Sequence, residues 1–213
     1  MKQDMTPQST SQTEETVRAY DGDAAAYAAS VSVMTDSVRR GIEAFAERLG
    51  AGARVLEIGS GSGRDAELLE KLGLRVRRTD ITPAFVALLR GQGHDADLVD
   101  PLRDDLSWPD GAYDAVWANA SLLHVDRVDL RTVLARLAAV CRPRAVLRIA
   151  VKEGDGEEWS THGSISAPRH FTYWRADALH EVIVDAGWRD VEVTRQPGTK
   201  YAESWLEVHA VRA

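Results

Sequence analysis

Cysteine is nearly missing from this chain of 213 residues: Cys141 is the only one. A lone thiol excludes an internal disulfide and any cysteine-based zinc cluster. His162 and His170 could be gathered with Asp155 or Glu157, but no H-x-x-x-H or comparable helical spacing joins them, so no metal is expected. Basic residues are outnumbered, 26 Lys and Arg against 33 Asp and Glu, for a formal net charge of -7. That balance argues against a general grip on nucleic acid or on an anionic membrane, since such a grip needs a basic surface that releases counterions. A small-molecule partner is favoured. No run of eighteen apolar residues occurs, and the opening "MKQDMTPQSTSQTEE" lacks the apolar core of a signal peptide. The expectation is a cytoplasmic protein, monomer or homodimer.

What is present points to one α/β domain. Apolar residues make up 44% of the chain, enough for a sizeable core at this length. Residues 1–14 are rich in Gln, Ser and Thr and read as a flexible tail, with a single domain over 15–213. A helical stretch, "ETVRAYDGDAAAYAASV", precedes a second helix from Asp36 to Leu49, where Val38, Ile42, Phe45, Ala46 and Leu49 recur at helical spacing. Strand-like runs follow at 54–58, 75–79, 96–100, 113–118 and 145–151, with helical segments near 64–72, 83–91 and 129–140. This alternation signals β-α-β units and a parallel sheet. The end of the chain differs: after a helix over 176–186, "DVEVTR" and "SWLEVHAV" are joined by a loop alone, which favours an antiparallel pair.

The stretch "VLEIGSGSGRD" places Gly59, Gly61 and Gly63 between the first strand and a helix starting near Arg64. An α/β sheet makes its ligand crevice at such a strand end, where glycine admits positive φ and helix N–H groups stand free. A dinucleotide fingerprint would need a glycine where Arg64 stands, and a Walker loop would need Gly-Lys-Ser/Thr. Both phosphate-binding readings weaken. An acid at Glu57, beside the ligand, suits a cationic amine better than a pyrophosphate.

On these residues the chain resembles the class I S-adenosylmethionine-dependent methyltransferases, whose first motif is an apolar strand, an acid and G-x-G-x-G. The match runs over about 15–211 and is strongest over 54–125. A narrower likeness, carried by "YDGDAAAY", "WANASLLHV", "PRHFTYW" and "ESWLEVHAV", is to a branch of small bacterial methyltransferases of mostly unassigned substrate. The resemblance implies a Rossmann-like seven-stranded, mostly parallel sheet of order 3-2-1-4-5-7-6, its last strand antiparallel, with helices on both faces and an N-terminal helical lid over 15–50. It implies S-adenosylmethionine as cofactor and S-adenosylhomocysteine as product. Asp80, 23 residues after Glu57, would take both ribose hydroxyls. Asp100 would read adenine with a main-chain N–H; Pro101 has none, so Leu102 or a later amide is expected to serve. Ser60, Arg64, Asp65, Ile81, Asn119 and Ala120 complete the cofactor set with the glycines, and Tyr20 and Tyr27, two helical turns apart, would close over the donor.

The acceptor side is less constrained. His124, in "NASLLHV", is the candidate base, although an activated sulfonium donor can react with positioning and desolvation alone. Lys152 and Arg169 would hold an anionic acceptor if both face the crevice, with His170, Tyr173 and Trp205 as an aromatic wall. "EGDGEEWSTHG", 153–163, reads as a flexible substrate loop. Where the family commonly has Lys-Pro-Gly-Gly before its fifth strand, this chain has "CRPRAV"; Arg144 and Ala145 adopt positive φ less freely than glycine, so another form of turn is expected. The rival functions are a protein that holds the cofactor without transferring methyl and, less favoured, an NAD-dependent oxidoreductase.

Overall fold

A computed structural model describes residues 11–109, 111–198 and 203–213. Most of the expected tail, 1–10, lies outside the described residues. Its last positions are helical instead: Ser11 and Glu14 form a capping box, each side chain bonded to the other's backbone N–H, and α1 runs Gln12–Ser30. The reciprocal bonds satisfy N–H groups that the first turn leaves open. Thr35 caps α2, Asp36–Leu49, by accepting from Val38 N at 3.4 Å.

The alternating segment forms β1 (Arg54–Ile58), α3 (Arg64–Lys71), β2 (Arg75–Asp80), α4 (Pro83–Gly91), β3 (Ala96–Leu98), β4 (Tyr113–Asn119), α5 (Leu130–Val140) and β5 (Cys141–Lys152). Beyond it lie β6 (Glu157–Ser160), β7 (Arg169–Thr172), α6 (Ala176–Asp185), β8 (Trp188–Pro197) and β9 (Ser204–Arg212). The main sheet has the order β3-β2-β1-β4-β5-β9-β8. Strands β3, β2, β1, β4 and β5 pair in parallel, and β9 is antiparallel to both neighbours. This is the expected order, with the last two strands renumbered because β6 and β7 form a separate two-stranded hairpin.

Both faces of the sheet are covered, and β1 records it. Val55 and Leu56 are adjacent and fully buried, yet they belong to different cores. Val55 joins Ile42, Phe45, Ala115 and Trp117 under α2, while Leu56 joins Val116, Leu134, Leu137, Leu147 and Ile149 under α5. A strand buried on both sides carries an unbroken apolar run, since alternate side chains both need a core. Helix α1 leaves the layers and packs across α4 and β7, over the carboxyl ends of the strands.

Two expectations need correction. The middle of the expected loop over 153–163 is strand β6, whose residues Glu157 to Ser160 pair with Thr172 to Arg169. Their partner is distant in sequence and two of the four are glutamates, so no local periodicity announces a strand. The turn before the fifth strand does not avoid positive φ: Arg144 adopts φ 66 itself. Left-handed backbone costs a non-glycine residue roughly 1–2 kcal/mol, which the pairing of β5 on both sides must offset.

Candidate active site

The end of β1 is built so that two of its three glycines serve the protein rather than a ligand. A Cβ on Gly59 (φ 76) would stand 2.4 Å from Ser121 Cβ, and one on Gly63 (φ 80) would stand 2.5 Å from Leu89 Cδ2. Gly61 (φ 52) is different: its nearest neighbour there is the Tyr27 ring, at 3.9 Å, across the mouth of the crevice. The close approach of a ligand expected at all three glycines is therefore available at Gly61. Beside it, the carboxylate of Asp80 accepts from Gly61 N at 2.9 Å and from Thr82 N at 2.8 Å, which fixes its orientation. A carboxylate offers about four acceptor positions, so two remain for hydroxyl groups.

Glu57 lies between these features, 2% exposed, with Ser60 Oγ 2.5 Å from its Oε2. Burial first, and then the neighbouring charge of Asp65, push its pKa up to about 8. Burial also raises Asp80, against the pull of the backbone donors of Gly61 and Thr82. Two desolvated carboxyl groups at adjacent strand ends form a field that a cationic ligand relieves and a pyrophosphate worsens.

The wall opposite is a chain of hydrogen bonds from three distant segments. His124 follows β4 in a single 3-10 turn, Leu122–His124. Its Nδ1 lies 2.6 Å from the His170 carbonyl oxygen, which can only accept, so Nδ1 carries the proton. Nε2 is left to accept from the Tyr20 hydroxyl at 2.9 Å. Burial drives the His124 pKa down to about 3, and the imidazole is neutral at physiological pH. Arg169 Nη1 donates to the same Tyr20 oxygen at 3.5 Å. Helix α1 holds Tyr20 there through further bonds: Asp21 accepts from Ala84 N, and Thr16 Oγ1 accepts from His170 N. The rings of Tyr20, Tyr27 and Phe85 pack together over the crevice, which encloses about 960 Å³ with its open mouth included.

Residues 31–193 match the family model for a methyltransferase domain. The chain belongs to that family. No protein of curated function matches its sequence significantly. Among solved structures it is similar to the 1,6-didemethyltoxoflavin-N1-methyltransferase of Burkholderia thailandensis, crystallised with its acceptor and S-adenosylhomocysteine. Identity is 23% and the TM-score 0.71, over 98% of this chain and 92% of that one. It is similar also to the Haemonchus contortus phosphoethanolamine N-methyltransferase 2, at 15% identity and TM-score 0.71 over 97% of this chain and 61% of that one. A third likeness is to the magnesium protoporphyrin IX methyltransferase of Synechocystis PCC 6803 with bound S-adenosylmethionine, at 14% identity and TM-score 0.70 over 98% and 100%. The protein is a methyltransferase by family, which turns the reading away from an oxidoreductase. Among the described residues no helix is long and apolar enough to cross a membrane.

In this methyltransferase the crevice is lined by Tyr20, Tyr27, Glu57, Gly59, Ser60, Gly61, Arg64, Asp65, Asp80, Ile81, Asn119, Ala120 and His124, all expected there for the cofactor or the reaction. Gly63 lies behind the turn as the N-cap of α3. Asp100, Pro101 and Leu102 are outside the lining; the Leu102 N–H expected for adenine is bonded to Asp100 Oδ1 at 2.8 Å. The acceptor-side residues are outside it too. Lys152 Nζ is paired with Glu203 at 2.8 Å, Tyr173 donates to Glu158, and Trp205 packs against the core. Of these, Arg169 and, through its backbone, His170 connect to lining residues.

Several wall residues escape a sequence reading. Thr16, Val17, Phe85 and Trp117 line the crevice, and they look like ordinary core positions of a helix or strand. Asp65 also does more than face the ligand: its Oδ2 accepts from Trp117 Nε1 and Asn119 Nδ2, and Asn119 in turn accepts from Arg148, itself paired with Glu207. This buried network sets the floor of the site through satisfied bonds.

Proposed function

We propose that this methyltransferase acts on a small acceptor bearing an anionic group, which Arg169 holds while Tyr20 and His124 orient the acceptor. The observation that carries the reading is the state of Arg169. Its guanidinium is buried, 3% exposed, and no carboxylate among the described residues pairs with it. Its Nε has no partner at all. An uncompensated charge in such a place costs several kcal/mol unless a counter-ion arrives, and a carboxylate or phosphate matches a guanidinium fork. Lys152, the other expected cation, shares the ring of Phe171 with Arg169 but has its charge met by Glu203. Small acceptors in the neighbouring structures, phosphomonomethylethanolamine among them, accord with this class.

The cofactor supplies a methyl group activated by its sulfonium. Residues of this chain do the rest by placement: Asp80 and Gly61 seat the donor, and α1 with Tyr20, Tyr27 and Phe85 excludes water. An acceptor that displaces the Tyr20 hydroxyl from His124 Nε2 donates a hydrogen bond to a neutral imidazole whose tautomer is fixed by His170 and whose pKa of about 3 makes it an orienting group, the proton leaving to solvent.

A panel pairing small carboxylates and phosphates with their neutral esters tests the proposal. Arg169→Ala should raise KM for the anionic member at least tenfold, with cofactor affinity unchanged. Ligand-free Arg169→Met should be as stable as the parent or more so, by about 1 kcal/mol, because a buried unpaired charge is gone. Equal use of neutral esters by the parent, with no KM change in Arg169→Ala, would overturn the anionic reading.

A further inference from the structure

Behind His124, on the side away from the crevice, Asp126, Glu157 and His170 each turn one donor atom toward a common point, all within 4.8 Å of one another. The geometry points to a divalent metal site there, of a zinc-like transition ion held by one imidazole and two carboxylates. A carboxylate cluster alone would be ordinary. Here the imidazole decides: His170 is 2% exposed, and its Nδ1 is buried without a hydrogen-bond partner. Asp126 Oδ1 is buried and unpartnered as well. Their separation is 3.5 Å. That exceeds a direct N–H to O bond of about 2.7–3.2 Å. It is close to the edge of about 3.3 Å between two ligands of a tetrahedral ion bound at about 2.0–2.1 Å.

The third ligand is prepared by its own contacts. Glu157 Oε1 accepts from Arg127 N at 2.8 Å and from Thr172 Oγ1 at 3.0 Å, which anchors the carboxylate while its other oxygen makes no hydrogen bond among the described residues. Glu157 is exposed and Asp126 only half-buried, so an ion can enter from solvent and keep a water in the fourth position. The ring of Trp159 shields the imidazole at 5.5 Å. One nitrogen with two carboxylate oxygens suits zinc, manganese or iron(II) better than calcium, and excludes a preference for soft ions. The helical spacing sought in the sequence is missing because the ligands come from a turn, from β6 and from β7.

Such an ion would staple the β6–β7 hairpin to the turn at 124–126. His170 is the link to chemistry, since its carbonyl fixes the tautomer of His124. The role is structural, upstream of the reacting atoms.

Protein stripped with a chelator and titrated with Zn²⁺ in a calorimeter should take up one equivalent. Co²⁺ should give a visible d–d band that His170→Gln removes. Asp126→Asn and Glu157→Gln should each weaken Zn²⁺ at least tenfold. Glu157→Gln keeps an oxygen for Arg127 N and Thr172, so its fold is preserved. Hydrogen exchange of 157–160 and 169–172 should slow when Zn²⁺ is added to the parent and stay unchanged in Glu157→Gln. Absence of stoichiometric Zn²⁺ uptake, or uptake that survives Asp126→Asn and Glu157→Gln with unchanged affinity, overturns the proposal.

Discussion

The two walls of the crevice are made in opposite ways. The donor wall, Glu57 to Thr82, is one continuous β-α-β unit in which acid, glycines and second acid are fixed by local geometry. The acceptor wall takes Tyr20 from α1, His124 from the turn after β4 and Arg169 from β7, partners separated by 104 and 149 positions. Their charges differ too: three buried carboxyls, Glu57, Asp65 and Asp80, on one side, a buried guanidinium and a neutral imidazole on the other. On the proposed assignment the acidic wall faces the positive sulfur of the donor and the basic wall faces the acceptor.

The strongest way to break the comparison is through the glycines, because it treats the donor wall as a packing unit as well as a ligand seat. Gly59→Ala forces a Cβ into Ser121 at 2.4 Å and a strained φ of 76. Urea denaturation should show a loss of roughly 3 kcal/mol or more, from overpacking added to backbone strain. Gly61→Ala, at φ 52 with open space, should lose only about 1 kcal/mol but bind S-adenosylhomocysteine more weakly. Equal stability of the two variants would mean that the turn relaxes and that the packing role is illusory.

The charge contrast sharpens with pH. Glu57 has a folded pKa near 8 against an ordinary value of 4.5, so between those values the folded protein binds more protons than the unfolded one. Stability of the ligand-free protein should then be full below pH 4.5 and fall as pH rises to 8, by several kcal/mol at most. Glu57→Gln should flatten that slope. A cationic donor reverses the preference: its binding at pH 7 should expel a proton, visible as a dependence of calorimetric heat on the buffer's ionisation enthalpy. Parent protein that releases no proton would place the donor's positive charge away from Glu57.

The same contrast decides what the sequence shows. The sheet order, Glu57, the glycine turn and Asp80 are legible because a strand-turn-helix constrains a dozen consecutive residues at once. The Leu102 amide is taken up by Asp100 Oδ1 in a local turn, a bond no spacing reveals. The β6–β7 hairpin is hidden because each four-residue strand is specified by the other. Arg169 and Lys152 read alike as cations near the rim, and only Glu203, 51 positions from Lys152, separates the one paired with a carboxylate from the one that has none among the described residues. Ser11 and Glu14, by contrast, are a sequence signal for the start of α1 that a polar composition masks.

The smallest expected effect concerns strain at the boundary of the two walls. Ala120, at the end of β4, holds φ 57 and lines the crevice; Arg144, before the paired part of β5, holds φ 66 and lies outside the lining. Both conformations suit glycine, so Ala120→Gly and Arg144→Gly should each gain up to about 1 kcal/mol in thermal denaturation, less what glycine's own chain entropy takes back. Their effects on function should part. Ala120 N donates to Ala150 O at 3.1 Å, and the next residue, Ser121, donates to Ile58 O at 2.6 Å, tying the acceptor wall to the donor wall through this one strained joint. A looser residue there should raise KM for the acceptor severalfold, whereas Arg144→Gly should leave both substrates unaffected. If the two variants behave alike in steady-state kinetics, the strain at Ala120 is an accident of the strand end and not part of how the walls are set against each other.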